Sequence, residues 1–243
     1  MRAQITPPVR RLLDALPRTG RQVADPVRAA ADATAAGCAV ALEHTPVADA
    51  AAELRDLVVR VAGAGLAGAC ELTVPVDRLG PAAAGVVAAV ADAGLDVALD
   101  GAQAAVDALA AEAGPVTVVV RAADAGAEER CRALAGDRVR LTGARLAGRR
   151  GAAADLAFVR CLDVLMSGAG RPGVGTTDPR LVALAGERAA WNERAPDSWE
   201  YVMPWQVRSE QQRRLVAGGY RVRVVLRSGG PATPVLRRPA GRS

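Results

Sequence analysis

The chain has 243 residues, 51% of them hydrophobic and 23% charged, a composition that excludes a disordered protein and fits one large domain. All 31 basic residues are arginine, and against 26 acidic residues they give a formal net charge of +5. Because the arginines are scattered and only 2% of the residues are aromatic, the sequence does not favour nucleic-acid binding.

The sequence gives no sign of a membrane span, an export signal or a metal centre. No apolar run reaches the roughly 18 residues that a membrane span needs. The N-terminal residues MRAQITPP lack an apolar signal core, so we expect a cytoplasmic protein without a membrane partner. The four cysteines, Cys38, Cys70, Cys131 and Cys161, lie far apart and indicate neither a disulfide framework nor metal ligands.

Short runs rich in Val and Leu recur along the chain, and Ala-rich amphipathic stretches separate them. Apolar runs without polar alternation are typical of strands buried on both faces. The predicted strands are residues 38–43, 68–74, 95–99, 116–121, 139–142, 173–177, 200–204 and 220–226. The predicted helices are residues 46–62, 81–93, 103–111, 127–134, 152–167, 179–191 and 209–217. Gly63, Gly94 and Gly168 follow helices and are expected to be left-handed caps.

Eight strand–helix units in about 250 residues predict an α/β protein, a parallel sheet closed into a (βα)8 TIM-type barrel. The alternative is an open doubly wound sheet, but no Gly-x-Gly-x-x-Gly loop follows the first strand. We therefore expect a single barrel domain over residues 1–243, with residues 1–20 as an N-terminal arm. Pro239 is expected to shorten the last helix, since proline cannot continue a helix.

A short last helix would leave part of strand eight without a cover. Val222, Val224 and Leu226 would then expose apolar surface, which soluble proteins bury against another chain. The sequence thus predicts a homodimer or a small partner subunit, and the arm 1–20 is the alternative cover for this surface.

The carboxyl ends of the strands are where a parallel barrel carries its functional groups. His44, Asp100, Arg121 and Asp178 stand at such ends, and Arg140 lies inside strand five. Arginines outnumber carboxylates at the predicted ends, which indicates a negatively charged ligand. Plainer roles remain open, because His44 could be a hydrogen-bonding residue, Asp178 a helix cap and Asp100 a turn residue. Arg140 must be paired or ligand-bound.

Aromatic residues cluster late in the chain. The cluster consists of Trp191, Trp199, Tyr201, Trp205 and Tyr220. One interpretation is a wall of a pocket, for which Trp205 at a strand end is the best candidate. The other is a local packing core between the last helices.

Several collinear segments resemble the proline dehydrogenase family. They are residues 70–74 (CELTV), 99–100 (LD), 159–166 (VRCLDVLM), 178–182 (DPRLV), 198–203 (SWEYVM) and 211–224 (QQRRLVAGGYRVRV). The resemblance extends from about residue 20 to residue 238. It implies a (βα)8 barrel that uses FAD to oxidise proline to its cyclic imine.

The resemblance also implies roles for particular residues. Arg140 matches the arginine that lies near flavin N5, and Asp100 and Asp178 match aspartates after strands three and six, which makes these three the candidate catalytic residues. Arg237 and Arg238 match the pair that grips the proline carboxylate. Apart from the resemblance, the positions at the strand ends make Trp205, Tyr201 and His44 candidates for the substrate, and Arg121, Thr176 and Thr177, together with Arg140, candidates for the cofactor.

Other positions depart from the family pattern. Pro75 stands at the place of the strand-two lysine, Thr177 at that of a histidine, and Val202 at that of a glutamine. Pro234 replaces the tyrosine that precedes the arginine pair. The changes affect the flavin-contacting positions more than the carboxylate grip.

Three functional hypotheses follow. The first is flavin-dependent oxidation of proline or a related amino or imino acid. The second is a flavin-free barrel that performs non-redox chemistry, a ring closure or an elimination, on a small anionic amino-acid-like substrate in specialised biosynthesis. The third is a subunit of a hetero-complex.

Overall fold

The computed structural model describes residues 22–143 and 152–230. Within them the strands are β1 (Ala39–Thr45), β2 (Cys70–Pro75), β3 (Asp96–Asp100), β4 (Thr117–Arg121), β5 (Arg138–Thr142), β6 (Arg171–Gly175), β7 (Glu200–Pro204) and β8 (Val222–Gly229). The predictions for residues 1–20, Pro239 and the pair Arg237 and Arg238 lie outside the described residues.

The described helices are α1 (Pro26–Ala35), α2 (Ala50–Gly63), α3 (Val76–Leu79), α4 (Ala83–Asp92), α5 (Gln103–Ala113), α6 (Ala127–Ala133), α7 (Ala152–Ser167), α8 (Pro179–Trp191) and α9 (Ser209–Ala217). The sequence did not predict α1, which precedes the first strand, or the single turn α3. Among the described residues, no helix combines the length and the apolar character that crossing a membrane requires.

The strands form a closed parallel barrel in the order β1 to β8, and β8 pairs with β1 from Ala39 opposite Arg223 to Thr45 opposite Gly229. The predicted (βα)8 barrel is therefore confirmed. An open doubly wound sheet is excluded, because a closed barrel has no edge strands. All eight carboxyl ends consequently lie at one end of the barrel, which we call the mouth.

Side chains along each strand alternate between the helix layer and the barrel interior. Val40 and Leu42 on β1 belong to the main apolar core beneath the helices. Ala41 between them instead forms a small separate cluster with Val202 and Val225. Much of the remaining interior is charged, and the buried polar residues there include Glu71, Arg140 and Arg223.

Helix α1 covers the flank that the sequence left exposed. Asp25 caps the helix by accepting hydrogen bonds from the Val27 and Arg28 amides, each at 3.1 Å. The chain before the helix is tied to β8, since the Val23 amide donates to the Arg227 carbonyl oxygen at 2.8 Å. The expected exposure of apolar side chains on β8 is therefore wrong. Val222, Val224 and Leu226 are all buried.

Of the three glycines expected to end helices in a left-handed conformation, only Gly94 does so, with φ of +79°. Gly63 is the last residue of α2, and Gly65 two residues later has φ of +72°. Gly168 is required for another reason. A Cβ atom there would clash with the carbonyl oxygen of Ala135.

Candidate active site

A cavity of about 450 Å³ opens at the mouth of the barrel. This volume is in the range of small-molecule sites in proteins. It brings together most of the residues that the sequence singled out. Those that line it are His44, Asp100, Arg121, Arg140, Thr176, Thr177 and Asp178.

The two aromatic candidates are not in the cavity wall. Tyr201 points outwards from β7 and is buried against Trp199 and Tyr220, with ring centroids 4.5 and 5.8 Å away. Its hydroxyl donates to the Val182 carbonyl oxygen at 3.4 Å, and burial raises its pKa to about 12. Trp205 packs against the main core. Both side chains therefore have a packing role. Val202, next to Tyr201 on β7, takes the inward position of this strand.

Arg140 lies within the barrel and is only 2% exposed. It forms an ion pair with Glu71, donates to the Thr73 hydroxyl at 3.1 Å and lies 3.9 Å from a Glu43 oxygen. Burial lowers the pKa of this guanidinium to about 10, and the nearby Glu43 carboxylate opposes the shift. The sequence-based requirement that this arginine be paired or ligand-bound is met by the chain itself.

The partner Glu71 was missed by the sequence analysis. It is 1% exposed on β2, and its Oε2 accepts a hydrogen bond from the Thr117 hydroxyl at 2.7 Å. A buried carboxylate needs such a partner and a nearby opposite charge. Strand alternation could have identified it, since position 71 shares the inward face of β2 with Thr73 and Pro75.

Two ion pairs stand at the cavity wall itself. On β3 and β4, Arg121 donates to Asp100 Oδ2 at 2.5 Å, while Asp100 Oδ1 is enclosed and has no hydrogen-bond partner among the described residues. On β8 and β1, Arg227 donates to Glu43 Oε2 at 2.9 Å. Glu43 and Arg227 face each other in the β1–β8 register. Each pair therefore presents one carboxylate and one guanidinium group to the same cavity.

His44 is held on both sides. Its Nε2 lies 3.0 Å from Glu53 Oε2, and its Nδ1 lies 3.0 Å from the Ser228 hydroxyl. Because a carboxylate only accepts, Nε2 carries the hydrogen, and in the neutral ring Nδ1 accepts from Ser228. Glu53 also accepts from the amides of Val47 and Ala48, and these bonds together with His44 lower its pKa to about 2. This arrangement ties β1 to α2 and β8.

Asp178 caps helix α8 and accepts a hydrogen bond from the Arg180 amide at 3.0 Å. Its own amide donates to the Thr176 hydroxyl at 3.1 Å. The structure therefore shows the capping role, and the side chain also lines the cavity.

The charge of the wall differs from the sequence-based expectation. Among the described residues, the lining carboxylates are Glu43, Asp100, Asp124, Asp155 and Asp178, and the lining guanidinium groups are Arg121, Arg140 and Arg227. Carboxylates thus outnumber arginines in this part of the wall. The stretches that follow β5 and β8 in the sequence, 144–151 and 231–243, lie outside the described residues and contain arginines and no acidic residue.

The molecule is thus a (βα)8 barrel with a polar cavity at the mouth, a framework shared by solved structures of proline utilization A. The chain superposes on that protein from Bdellovibrio bacteriovorus, inactivated by N-propargylglycine, with a TM-score of 0.67 at 16% identity, covering 84% of this chain and 29% of that one. For proline utilization A from Corynebacterium freiburgense the TM-score is 0.59 at 11% identity, with 91% and 29% covered.

A variant of the Bradyrhizobium japonicum protein gives a TM-score of 0.59 at 13% identity, with 79% of this chain and 26% of that chain covered. At such identities the likeness shows the fold alone, a proline-dehydrogenase-like barrel. The chain spans less than a third of the length of these solved chains. No family model matches the sequence, and no curated protein matches it.

The described wall does not fit a flavin dinucleotide. A flavin needs donors at its ring edge and positive charge at its two phosphates. Arg140 and Arg121 each donate to carboxylates of the chain, and the Thr142 hydroxyl donates to the Val120 carbonyl oxygen at 3.3 Å. Since carboxylates also outnumber arginines there, two phosphates would meet net negative charge. We therefore derive no step through a flavin.

Proposed function

We propose that the chain is an enzyme of the proline-dehydrogenase-like fold that binds a small amino or imino acid at the mouth and catalyses acid–base chemistry on it. The observation that carries this proposal is the presence of two carboxylate–guanidinium ion pairs in one cavity, Asp100 with Arg121 and Glu43 with Arg227. A zwitterion has the same two charges as each pair. It can exchange partners with a pair without leaving an unpaired charge.

The expected binding mode follows from this complementarity. An arginine of one pair binds the substrate carboxylate by donating two parallel N–H hydrogen bonds to it. A carboxylate of a pair accepts from the substrate N–H. The carboxylate-binding pair Arg237 and Arg238, implied by the family resemblance, belongs to the same proposal.

Asp100 is the proposed proton acceptor. A ring closure by displacement or an elimination at an amino acid requires a base that removes a proton from nitrogen or carbon, while the bond to the leaving group breaks and that group takes the bonding electrons and a proton from an acid. Asp100 lines the cavity, and its side chain is 24% exposed. Arg121 donates to Asp100 Oδ2 and holds the carboxylate at the cavity wall. Asp178 is the second candidate acid, and His44 is a positioning residue at the rim.

Calorimetric titration tests the zwitterion proposal. A panel of amino and imino acids that includes L-proline is titrated first. For a member that binds, the two analogues that lack either the carboxylate or the nitrogen are then compared. Each analogue should bind roughly tenfold more weakly or worse, because one charged group of the pair then loses its partner. Equal affinity for either analogue, or no binding across the panel, contradicts the proposal.

Asp100→Asn provides the variant test, with Asp56→Asn as its matched control. Asp56 is exposed and pairs with Arg60 on the surface of α2. We expect Asp100→Asn to lose turnover of the amino or imino acid that binds in the titration while it retains the fold. Asp56→Asn should behave as the parent. Full turnover in Asp100→Asn would remove this residue from the proposed role.

Flavin-dependent oxidation of proline or a related amino or imino acid is the second candidate, with FAD as cofactor. The likeness to proline utilization A favours it. The residues that the sequence analysis assigned to the cofactor, Arg121, Thr176 and Thr177, line the cavity. A visible absorption spectrum and an FAD titration of the purified chain separate the two candidates. A yellow protein that bleaches with proline supports oxidation.

A further inference from the structure

The two ion pairs of the mouth cavity differ in what surrounds their carboxylates. Glu43 lies near two guanidinium groups, because Arg227 Nε donates to its Oε2 at 2.9 Å and Arg140 Nη1 lies 3.9 Å from its Oε1. Asp100, in contrast, has Arg121 as its only arginine partner among the described residues. The two carboxylates therefore differ in what remains to them if their arginine binds something else.

Arg140 is able to take over the Glu43 carboxylate. Its Nη1 carries two hydrogens, and the Thr73 hydroxyl accepts one of them at 3.1 Å. A movement of about 1 Å would bring Glu43 Oε1 within hydrogen-bond distance of this nitrogen. The two charges already interact at their present separation, since burial lowers the pKa of Arg140 and the Glu43 carboxylate opposes that shift.

Arg227 extends into the cavity from a fixed part of the backbone. Its carbonyl oxygen accepts from the Val23 amide at 2.8 Å, and the next residue, Ser228, is held by His44. The side chains of Arg227 and Glu43 are 26% and 31% exposed, and both line the cavity. A ligand that enters the mouth can thus reach this pair without moving the strands.

The proposed function, on which this step rests, leaves either ion pair able to receive the substrate carboxylate. We propose that Arg227 receives it and that Glu43, once displaced, pairs with Arg140. An exchange at Arg227 leaves every charge with a partner, whereas an exchange at Arg121 would leave Asp100 without an arginine. Asp100 then keeps Arg121 and remains the proposed proton acceptor.

Calorimetric titration of two ligands tests this assignment. One ligand is the amino or imino acid of the panel that the parent binds, and the other is the analogue that lacks its carboxylate, which for L-proline is pyrrolidine. The ratio of the two Kd values measures what the carboxylate contributes in a given variant. A general loss of stability weakens both ligands alike and leaves this ratio unchanged.

The ratio separates the two arginines. In Arg227→Gln it should fall roughly tenfold or more, because a charge-assisted hydrogen bond to the carboxylate is lost. In Arg121→Gln it should remain that of the parent. A parental ratio in Arg227→Gln overturns the assignment and leaves the proposed function standing. A ratio that falls in Arg121→Gln instead moves the carboxylate to the other pair.

Glu43→Gln gives a second, independent result. Glu43 competes with the substrate carboxylate for Arg227, so its removal should make the ligand bind roughly two- to fivefold more tightly, the range expected for a partly exposed ion pair. The analogue without the carboxylate should not gain affinity. Unchanged or weaker binding of the ligand contradicts the exchange. Should Arg227→Gln fail to fold, Glu43→Gln decides.

The matched control is Arg60→Gln. Arg60 is exposed, pairs with Asp56 and lies in the last turn of α2, at the end of the barrel opposite the mouth. Both Kd values should equal those of the parent. If the parent binds no member of the panel, the proposed function fails and the assignment of Arg227 fails with it.

Discussion

Arg140 and Glu71 lie in the barrel interior, where water cannot solvate either charge. Removing one partner of such a pair leaves a buried charge without compensation. We therefore expect Glu71→Gln to destabilise the protein by about 3–5 kcal/mol. Urea denaturation measures this difference in the free energy of unfolding.

The control for that prediction is the double variant Glu71→Leu with Arg140→Met, which replaces both charges by apolar groups. Most of the stability should return, since apolar replacement of a whole buried pair is often neutral. A loss below about 1 kcal/mol in Glu71→Gln would show that Glu43 alone compensates Arg140.

Glu53 leads to a prediction about acid stability. Its pKa is lowered from 4.5 to about 2 by the amides of Ala48 and Val47 and by His44. A carboxyl whose pKa is depressed by folding adds stability above its unfolded pKa, and this stability is lost as the pH falls through the folded pKa. Stability should therefore decline between about pH 5 and pH 2, and Glu53→Gln should show a smaller decline. Urea denaturation at pH 6 and pH 3 tests this, with the exposed Glu187→Gln as control.

At the residue scale, the sequence identified the candidates but not their partners. Asp100 and Arg121, like Arg140, were recognised from strand ends and strand interiors, because strand position depends on local apolar runs. The pairing of Arg140 with Glu71 spans the barrel between β2 and β5, and no local pattern encodes it. Tyr201 was assigned to the substrate although strand alternation places it outside, beside the inward-facing Val202.

At the scale of elements, the apolar runs predicted every strand to within a few residues, since strands buried on both faces are continuous apolar segments. Helix α1 was missed because it lies before the first strand, outside the strand–helix alternation that guided the prediction. Its N-terminal signal, Asp25 followed by Pro26, is nevertheless present in the sequence.

Asp25→Ala tests how much α1 contributes. The carboxylate accepts from two amides that the first helical turn leaves unpaired, so its loss should cost about 0.5–2 kcal/mol of unfolding free energy. Asp32→Ala, on the exposed side of the same helix, should change stability by less than about 0.5 kcal/mol. Chemical denaturation distinguishes the two. Equal effects would mean that the cap is not what stabilises α1.

Arg194 connects two elements of the barrel, and the sequence analysis did not identify it. Its guanidinium donates to the carbonyl oxygens of Gly168 at 2.7 Å, Gly170 at 2.5 Å and Ser198 at 3.0 Å, which joins the turn before β6 to that before β7. Lysine cannot reproduce this planar set of donors. Arg194→Lys should therefore cost about 1.5–3 kcal/mol. Arg213→Lys on the surface of α9 is the control, and a scan of Tm for both variants measures the difference.

At the scale of the whole molecule, the helix layer closes around the barrel through α1 rather than through a partner chain. A homodimer or partner subunit stays a prediction, now without the exposed apolar flank that first suggested it. Light scattering tests it against the 24.9 kDa of one chain.

Arg140 lines both the mouth cavity and a small cleft of about 30 Å³ at the amino-terminal ends of the strands. A single buried guanidinium thus separates the two spaces. Any charge that enters one space changes the electrostatic potential felt in the other. Because coupling free energies between binding sites are reciprocal, any ion or water whose binding in the cleft alters affinity at the mouth must have its own affinity altered, by the same factor, when the mouth is filled.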